Sequence, residues 1–200
     1  MKETKKVLMR IITTENINEA IAIKSITTEE FSGMFETMQA VWRDVVASLP
    51  IKTTLLIMHV FHSMMDAFVH MGIEQALKDH PDTIGCYKGC GLCCNIRVAI
   101  VNGEDDTITR YVDKYSIKVA NRVGYCPYLD EVNVCQIYPV RPAMCRKHFI
   151  MGGPRTCKES PGPVPFVATF PAELLWSVAA TAYGCKVLFD PETLRDPLAE

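Results

Sequence analysis

Apolar residues recur at three- and four-residue steps from Asn16 to His80, so this third of the chain reads as helical. In "TTEEFSGMFETMQAVWRDVVASL" the stripe is Phe31, Met34, Phe35, Met38, Val41, Trp42, Val45 and Val46, one core-facing side of a helix. Thr27 or Thr28 offers an N-cap and Pro50 a stop. A second helix is predicted from about Thr53 to Lys78, with Pro81 beyond its end. Its most apolar part, Leu55 to Met71, is interrupted by His59, His62, Asp66 and His70. That makes a poor bilayer span and a reasonable amphipathic or buried helix.

The helical pattern breaks between Gly85 and Cys157. Short β-like pieces, "IRVAIV" and "ITRYV", are separated there by Gly, Asn, Asp and Pro. An extended linker follows, "GGPRTCKESPGPVPFVATFP", whose Phe166, Val167 and Phe170 need cover. The stretch "AELLWSVAATAYGCKVLF" then predicts one more helix. The expected fold is mainly α. Residues 1–81 form a helical N-terminal region, 82–160 a loop-rich cysteine module with little strand, and 161–200 the linker and last helix. All three pack as one globular unit.

Composition narrows the function. With 200 residues, 48% of them hydrophobic, the chain can bury a core without needing metal merely because it is small. A formal net charge of −2 and the lack of a long Lys/Arg run argue against a nucleic-acid partner. The start, "MKETKKVLMR", leads into "IITTENINEA" and not into an apolar secretory core, so the cytoplasm is the expected location.

Nine cysteines are many for that compartment. In a reducing environment, thiols at short spacing are read as metal ligands or redox groups before disulfides. All but Cys185 lie in the middle zone: Cys86, Cys90, Cys93, Cys94, Cys126, Cys135, Cys145 and Cys157. Short spacings let one loop supply several soft thiolates at little entropic cost. In "GCYKGCGLCC", Gly85, Gly89 and Gly91 allow the backbone to curl round an ion and present N–H groups to sulfur. Cys93 and Cys94 are adjacent, so their side chains are expected to diverge. One of them would then serve a second centre or act as a structural or reactive thiol. His148, three residues past Cys145, is a candidate nitrogen ligand. Cys185, alone near the C-terminus and assigned to the last helix, is expected to be a bystander.

The segments "CYKGCGLCC", "CPYLD" and "CQIYPVRPAMCR" resemble, in that order, the cysteine-cluster family named for its CxxCxxCC pattern. Cys135, Ile137, Tyr138, Arg141, Pro142, Cys145 and Arg146 match its C-x-I-Y-x-x-R-P-x-x-C-R segment. The likeness runs from Cys86 to about Cys157. One departure is the three-residue gap between Cys86 and Cys90. The resemblance implies a zinc- or iron-chelating centre, often an iron–sulfur one, and a relation to the domain in flagellin lysine N-methylases. It leaves the substrate open.

The spacing of Cys86, Cys90 and Cys93 is also that of radical-SAM enzymes. That chemistry needs a β/α barrel, for which this chain has neither the length nor the alternation. Closed zinc sites usually come as paired C-x2-C knuckles, and only Cys90 and Cys93 make one, so a [4Fe–4S] cluster is favoured over Zn2+. On helical spacing His59, His62, Asp66 and His70 share one narrow arc, opposite Phe61, Met64, Phe68 and Met71. The plainest account of that stripe is the polar edge of an amphipathic helix; the alternative is a set of secondary metal ligands or a proton-transfer group. Among Arg141, Arg146, Lys147 and Arg155, which could neutralise a thiolate centre or bind an acidic partner, Arg141 is expected instead to hold a loop through backbone carbonyls. The expected function is a small iron–sulfur or zinc protein working with a protein or redox partner. A modifying enzyme of the methylase or radical-SAM type and a structural zinc module stand as alternatives.

Overall fold

A computed structural model describes residues 28–79, 90–91, 93–120, 124–149 and 170–189. The elements run α1 (Thr28–Ser48), α2 (Thr54–Asp79), β1 (Val98–Val101), α3 (Glu104–Tyr115), a 3-10 turn (Tyr138–Val140), α4 (Ala143–Lys147), α5 (Phe170–Tyr183) and β2 (Cys185–Phe189). The protein is mainly helical, with a two-stranded sheet. Cys86, Cys157, Arg155 and most of the proline-rich linker lie outside the described residues.

Both N-terminal helices form where the periodicity places them, but their buried faces are narrower than the apolar stripes. On α1, Met34, Met38 and Trp42 are buried, while Phe31 and Val41 are exposed. On α2, Thr53 Oγ1 accepts the Leu56 N–H at 3.3 Å and so caps the start. The buried face of α2 is Met58, Phe61, Met65 and Val69, and Met71 is exposed. The histidine stripe lies along its margin and is divided by it. His62 is buried, whereas His59, Asp66 and His70 are exposed.

Of the two β-like pieces, the first contains β1, but "ITRYV" lies within α3. Gly103, at φ 103°, turns the chain out of β1, and Glu104, Asp105 and Asp106 then fill a first helical turn whose free N–H groups favour carboxylates. Only Ile108 among the apolar residues of α3 is fully buried, so packing does not enforce a strand there.

The C-terminal segment also departs from the single expected helix. Gly184, at φ 78°, ends α5, and residues 185–189 become β2. Asn102 clamps this corner: its Nδ2 donates to Tyr183 O at 2.8 Å and its backbone N–H to Gly184 O at 3.0 Å. β2 pairs antiparallel with β1, Val101 opposite Cys185 and Val98 opposite Phe189, with an irregularity between Val98 and Ala99. Cys185 is therefore an exposed strand residue, not a helical one.

The larger core lies between α1, α2 and α5, where Trp42 meets Phe61 and Tyr183 edge-on at centroid distances of 5.9 and 6.3 Å. A smaller cluster, Val98, Ile100 and Phe189, packs on Cys126, Met144 and Cys145. The sheet thus gives one side to the helical core and the other to the cysteines.

Candidate metal centre

Three short segments bring the thiols together. Cys90, Cys93 and Cys94 come from a turn in which the Cys94 N–H donates to Gly91 O at 3.1 Å. Cys126 and Cys135 stand at either end of a loop organised by Asp130. Its Oδ1 accepts the N–H groups of Val132 (3.0 Å) and Val134 (2.7 Å). Its backbone N–H donates to Val134 O, and Leu129 bridges to Cys135. Cys145 sits within α4, after the 3-10 turn and Pro142.

The first two segments are fastened directly, the Cys126 N–H donating to Cys94 O at 2.7 Å. Gly91 permits this approach. A Cβ built there would stand 2.5 Å from Asn133 O and 3.3 Å from Asn133 Cβ. A glycine is needed at 91 because another backbone occupies the space.

The helix carrying Cys145 is held by residues far away in sequence. Glu104, fully buried, accepts the Ala143 N–H (Oε1, 2.8 Å) and the Val101 N–H (Oε2, 2.8 Å), with His62 Nε2 2.6 Å from Oε1. Arg146 donates to Arg141 O (2.9 Å) and Pro139 O (2.8 Å) and pairs with Asp66 at 2.5 Å. Lys147 pairs with Glu173 and lies over the Trp176 ring. Two members of the histidine stripe, His62 and Asp66, thus act as braces of the cysteine module. His70 pairs with Glu74 on its own helix at 3.2 Å, and His59 lies exposed.

Cys90, Cys93, Cys94, Cys126, Cys135 and Cys145 all line one cavity of about 270 Å3. The half-buried His148 joins them, and Ile96, Met144, Leu188 and Phe189 form apolar wall. Cys93 and Cys94 do not diverge. Alternation holds in a strand, but residues 93–95 form a turn, and both thiols face the same cavity. Nor does the Arg141 guanidinium donate to a backbone carbonyl among the described residues. Arg146 does that work, while Arg141 lies with its guanidinium carbon 4.0 Å from the Tyr138 ring centroid.

The electrostatics are those of crowded thiols. Cys93 is lowered to about 7, chiefly by a hydrogen bond from the Cys94 thiol, against the opposing effect of burial and with help from Arg141. Cys94 is raised as the donor in that bond, then by burial and by Cys93, Cys126 and Cys145. Burial raises Cys126, Cys135 and Cys145, and neighbouring thiols add to it. Burial and Lys147 lower His148, leaving a neutral imidazole able to act as a nitrogen donor. Cys94, Cys126, Cys135 and Cys145 resist becoming anions beside the others. A cation among them removes that resistance and takes the thiolates as ligands.

The donor set therefore fits a thiophilic group: soft sulfur in excess, one neutral nitrogen, and no carboxylate on the cavity wall except Glu173, which is held by Lys147. Among the described residues no three His, Cys, Asp or Glu side chains already converge as ligands of one ion. Sequence reasoning missed Glu104, since nothing in "NGEDD" separates it from Asp105 and Asp106. It also missed Asp130, although the spacing "LDEVNV" carries the turn chemistry that would have revealed it.

Residues 85–161 match the model of the CxxCxxCC family, described as "Putative zinc- or iron-chelating domain". The matched span includes every cysteine of the cavity. No curated protein and no solved structure matches the chain.

Proposed function

From the premise that residues 85–161 are a CxxCxxCC domain, we propose that this chain is an iron–sulfur protein of the cytoplasm, serving a redox or cluster-dependent accessory role. The observation that carries the choice of iron–sulfur is the arrangement of the thiols. Six line one cavity of about 270 Å3, more thiols than the four that one zinc ion takes. One zinc ion draws its ligands to about 2.3 Å from a common centre. A cluster several atoms wide is held by thiolates spread round a larger space. Cys90, Cys93, Cys94, Cys126, Cys135 and Cys145 are the candidate ligands, with Cys86 and Cys157 completing the set in sequence. His148 is the reserve nitrogen donor.

The same reading takes a redox or acceptor protein as the partner and neither nucleic acid nor a membrane span. Net charge −2 supports the first exclusion. The helix Thr54–Lys78 is long and apolar enough to cross a membrane. Met58, Phe61, Met65 and Val69 on it nevertheless pack into the helical core, and its His62 and Asp66 pair with Glu104 and Arg146, which supports the second.

Anaerobic purification with iron, zinc and sulfide analysis tests the proposal. The expected protein is coloured and carries iron with acid-labile sulfide. Stoichiometric zinc without sulfide overturns the iron–sulfur assignment. Protein without metal and with its cysteines paired overturns the metal centre altogether.

A further inference from the structure

Three cations follow one another on the strip from Tyr138 to Lys147, and the fold uses two of them. Arg146 is spent on two carbonyls and Asp66, and Lys147 on Glu173 and Trp176. Arg141 differs. Its guanidinium carbon lies over the Tyr138 ring, and the residue lines the cavity that holds the six thiols. Its Nε is buried and has no hydrogen-bond partner among the described residues. No carboxylate among those residues pairs with it.

A buried N–H without an acceptor costs about 1–3 kcal/mol, and more when the group is charged. Trp42 and Trp176 also hold an unpartnered buried indole N–H among the described residues, but neither carries a charge. Arg141 is well packed: the ring of Tyr138 holds one face, its own backbone N–H lies 3.5 Å from Tyr138 O, and Pro142 fixes the chain after it. It is a charged side chain, held on one face, that lines a space walled by sulfur. The cavity it lines takes thiols from all three cysteine-bearing segments.

We propose that Arg141 is the outer partner of the bound centre, donating guanidinium N–H bonds to a thiolate or sulfide sulfur and offsetting the centre's negative charge. The inference rests on the metal-centre reading above and deepens it. Four thiolates outweigh the charge of a divalent ion, and a cysteine-held cluster is likewise anionic, so a buried cation stabilises either. Where the centre changes oxidation state, the same charge favours the reduced, more negative form. Arg141 is a positioning and charge-balancing residue here, since a ligand role is closed to a guanidinium.

The test compares wild type, Arg141→Gln and Arg141→Lys as purified full-length protein loaded anaerobically. Metal and sulfide content, the rate of metal loss to EDTA and the reduction potential are measured. Arg141→Gln is expected to keep its circular dichroism and to lose metal about tenfold faster. At a fixed poise its oxidised-to-reduced ratio should rise about tenfold, which is 59 mV for a one-electron couple. Arg141→Lys keeps the charge without the planar fork and should lose metal at an intermediate rate. Loaded Arg141→Gln with wild-type loss rate and potential overturns the inference alone. Should that variant fail to fold, Arg141→Lys decides, and a wild-type loss rate in it overturns the inference. Wild type that carries no metal overturns both this and the reading beneath it.

Discussion

Glu104 accepts the Ala143 N–H at 2.8 Å, so a carboxylate with no solvent exposure caps the helix that carries Cys145. Its other oxygen takes the Val101 N–H, and His62 of α2 completes the set. One side chain joins β1, α2, α3 and α4. Glu104→Ala strands two buried donors at about 1–3 kcal/mol each, so a loss of roughly 3–5 kcal/mol is expected. Denaturant unfolding measures it. A loss below about 1 kcal/mol would show that water or a shifted chain replaces the carboxylate.

Gly91→Ala should act on the metal site more than on the helical core. The added methyl meets the Asn133 carbonyl at 2.5 Å, and backbone cannot yield as a flexible side chain can. The turn carrying Cys90, Cys93 and Cys94 must then separate from the Cys126–Cys135 loop. Less than half the wild-type metal content is expected, with helical circular dichroism preserved. Full loading would mean that the contact between the two loops is dispensable.

Cysteine variants should separate ligands from bystanders. Cys90→Ser and Cys145→Ser are each expected to lower metal content, because oxygen is a poorer partner for a soft ion. Cys185→Ser, on the exposed strand, should leave it unchanged. Cys94→Ala removes the donor that holds Cys93 down at about 7. In metal-free protein at pH 7.5, alkylation of Cys93 should then slow by roughly tenfold. Unaltered alkylation would rule out the bond between the adjacent thiols.

The metal-free protein should lose stability as the medium becomes alkaline. Cys126, Cys135 and Cys145 are raised in the folded state, mainly by burial. In the unfolded chain they ionise near their ordinary value of about 8.5. Above that pH the unfolded state binds fewer protons than the folded one, so stability falls as pH rises. Below it the contribution is fully present. Melting temperatures of metal-free protein between pH 7 and 10.5 should fall above about pH 9, and those of the Cys145→Ser variant should fall less.

Chelation should loosen the module while sparing the bundle. Met34, Trp42, Phe61, Leu175 and Val178 pack with one another without a cysteine between them. The segments around Cys90–Cys94 and Cys126–Cys135 rest largely on turn hydrogen bonds. Hydrogen exchange after metal removal is expected to speed up between residues 93 and 145 and to stay slow in α1, α2 and α5. Equal protection in both forms would mean that the metal does not contribute to folding.

The local chemistry of this chain was legible from its sequence. Periodicity located α1 and α2, because an apolar residue every three or four positions is buried on one helical side whatever lies opposite. Cysteine spacing and the Arg-Pro segment marked the metal module, because ligand type and loop length are properties of neighbouring residues. Tertiary structure decided what depends on distant partners. "ITRYV" became helix because Gly103 and three acidic residues set its start, and residues 185–189 became strand because β1 offered an unpaired edge. His62 and Asp66 left the polar stripe to brace α4, since Glu104 and Arg146 reach them from 42 and 80 positions away. The facing of Cys93 and Cys94, and the freedom of Arg141 to face the thiols, follow from how a turn and a stacked ring are held by other segments. No spacing along the chain encodes that.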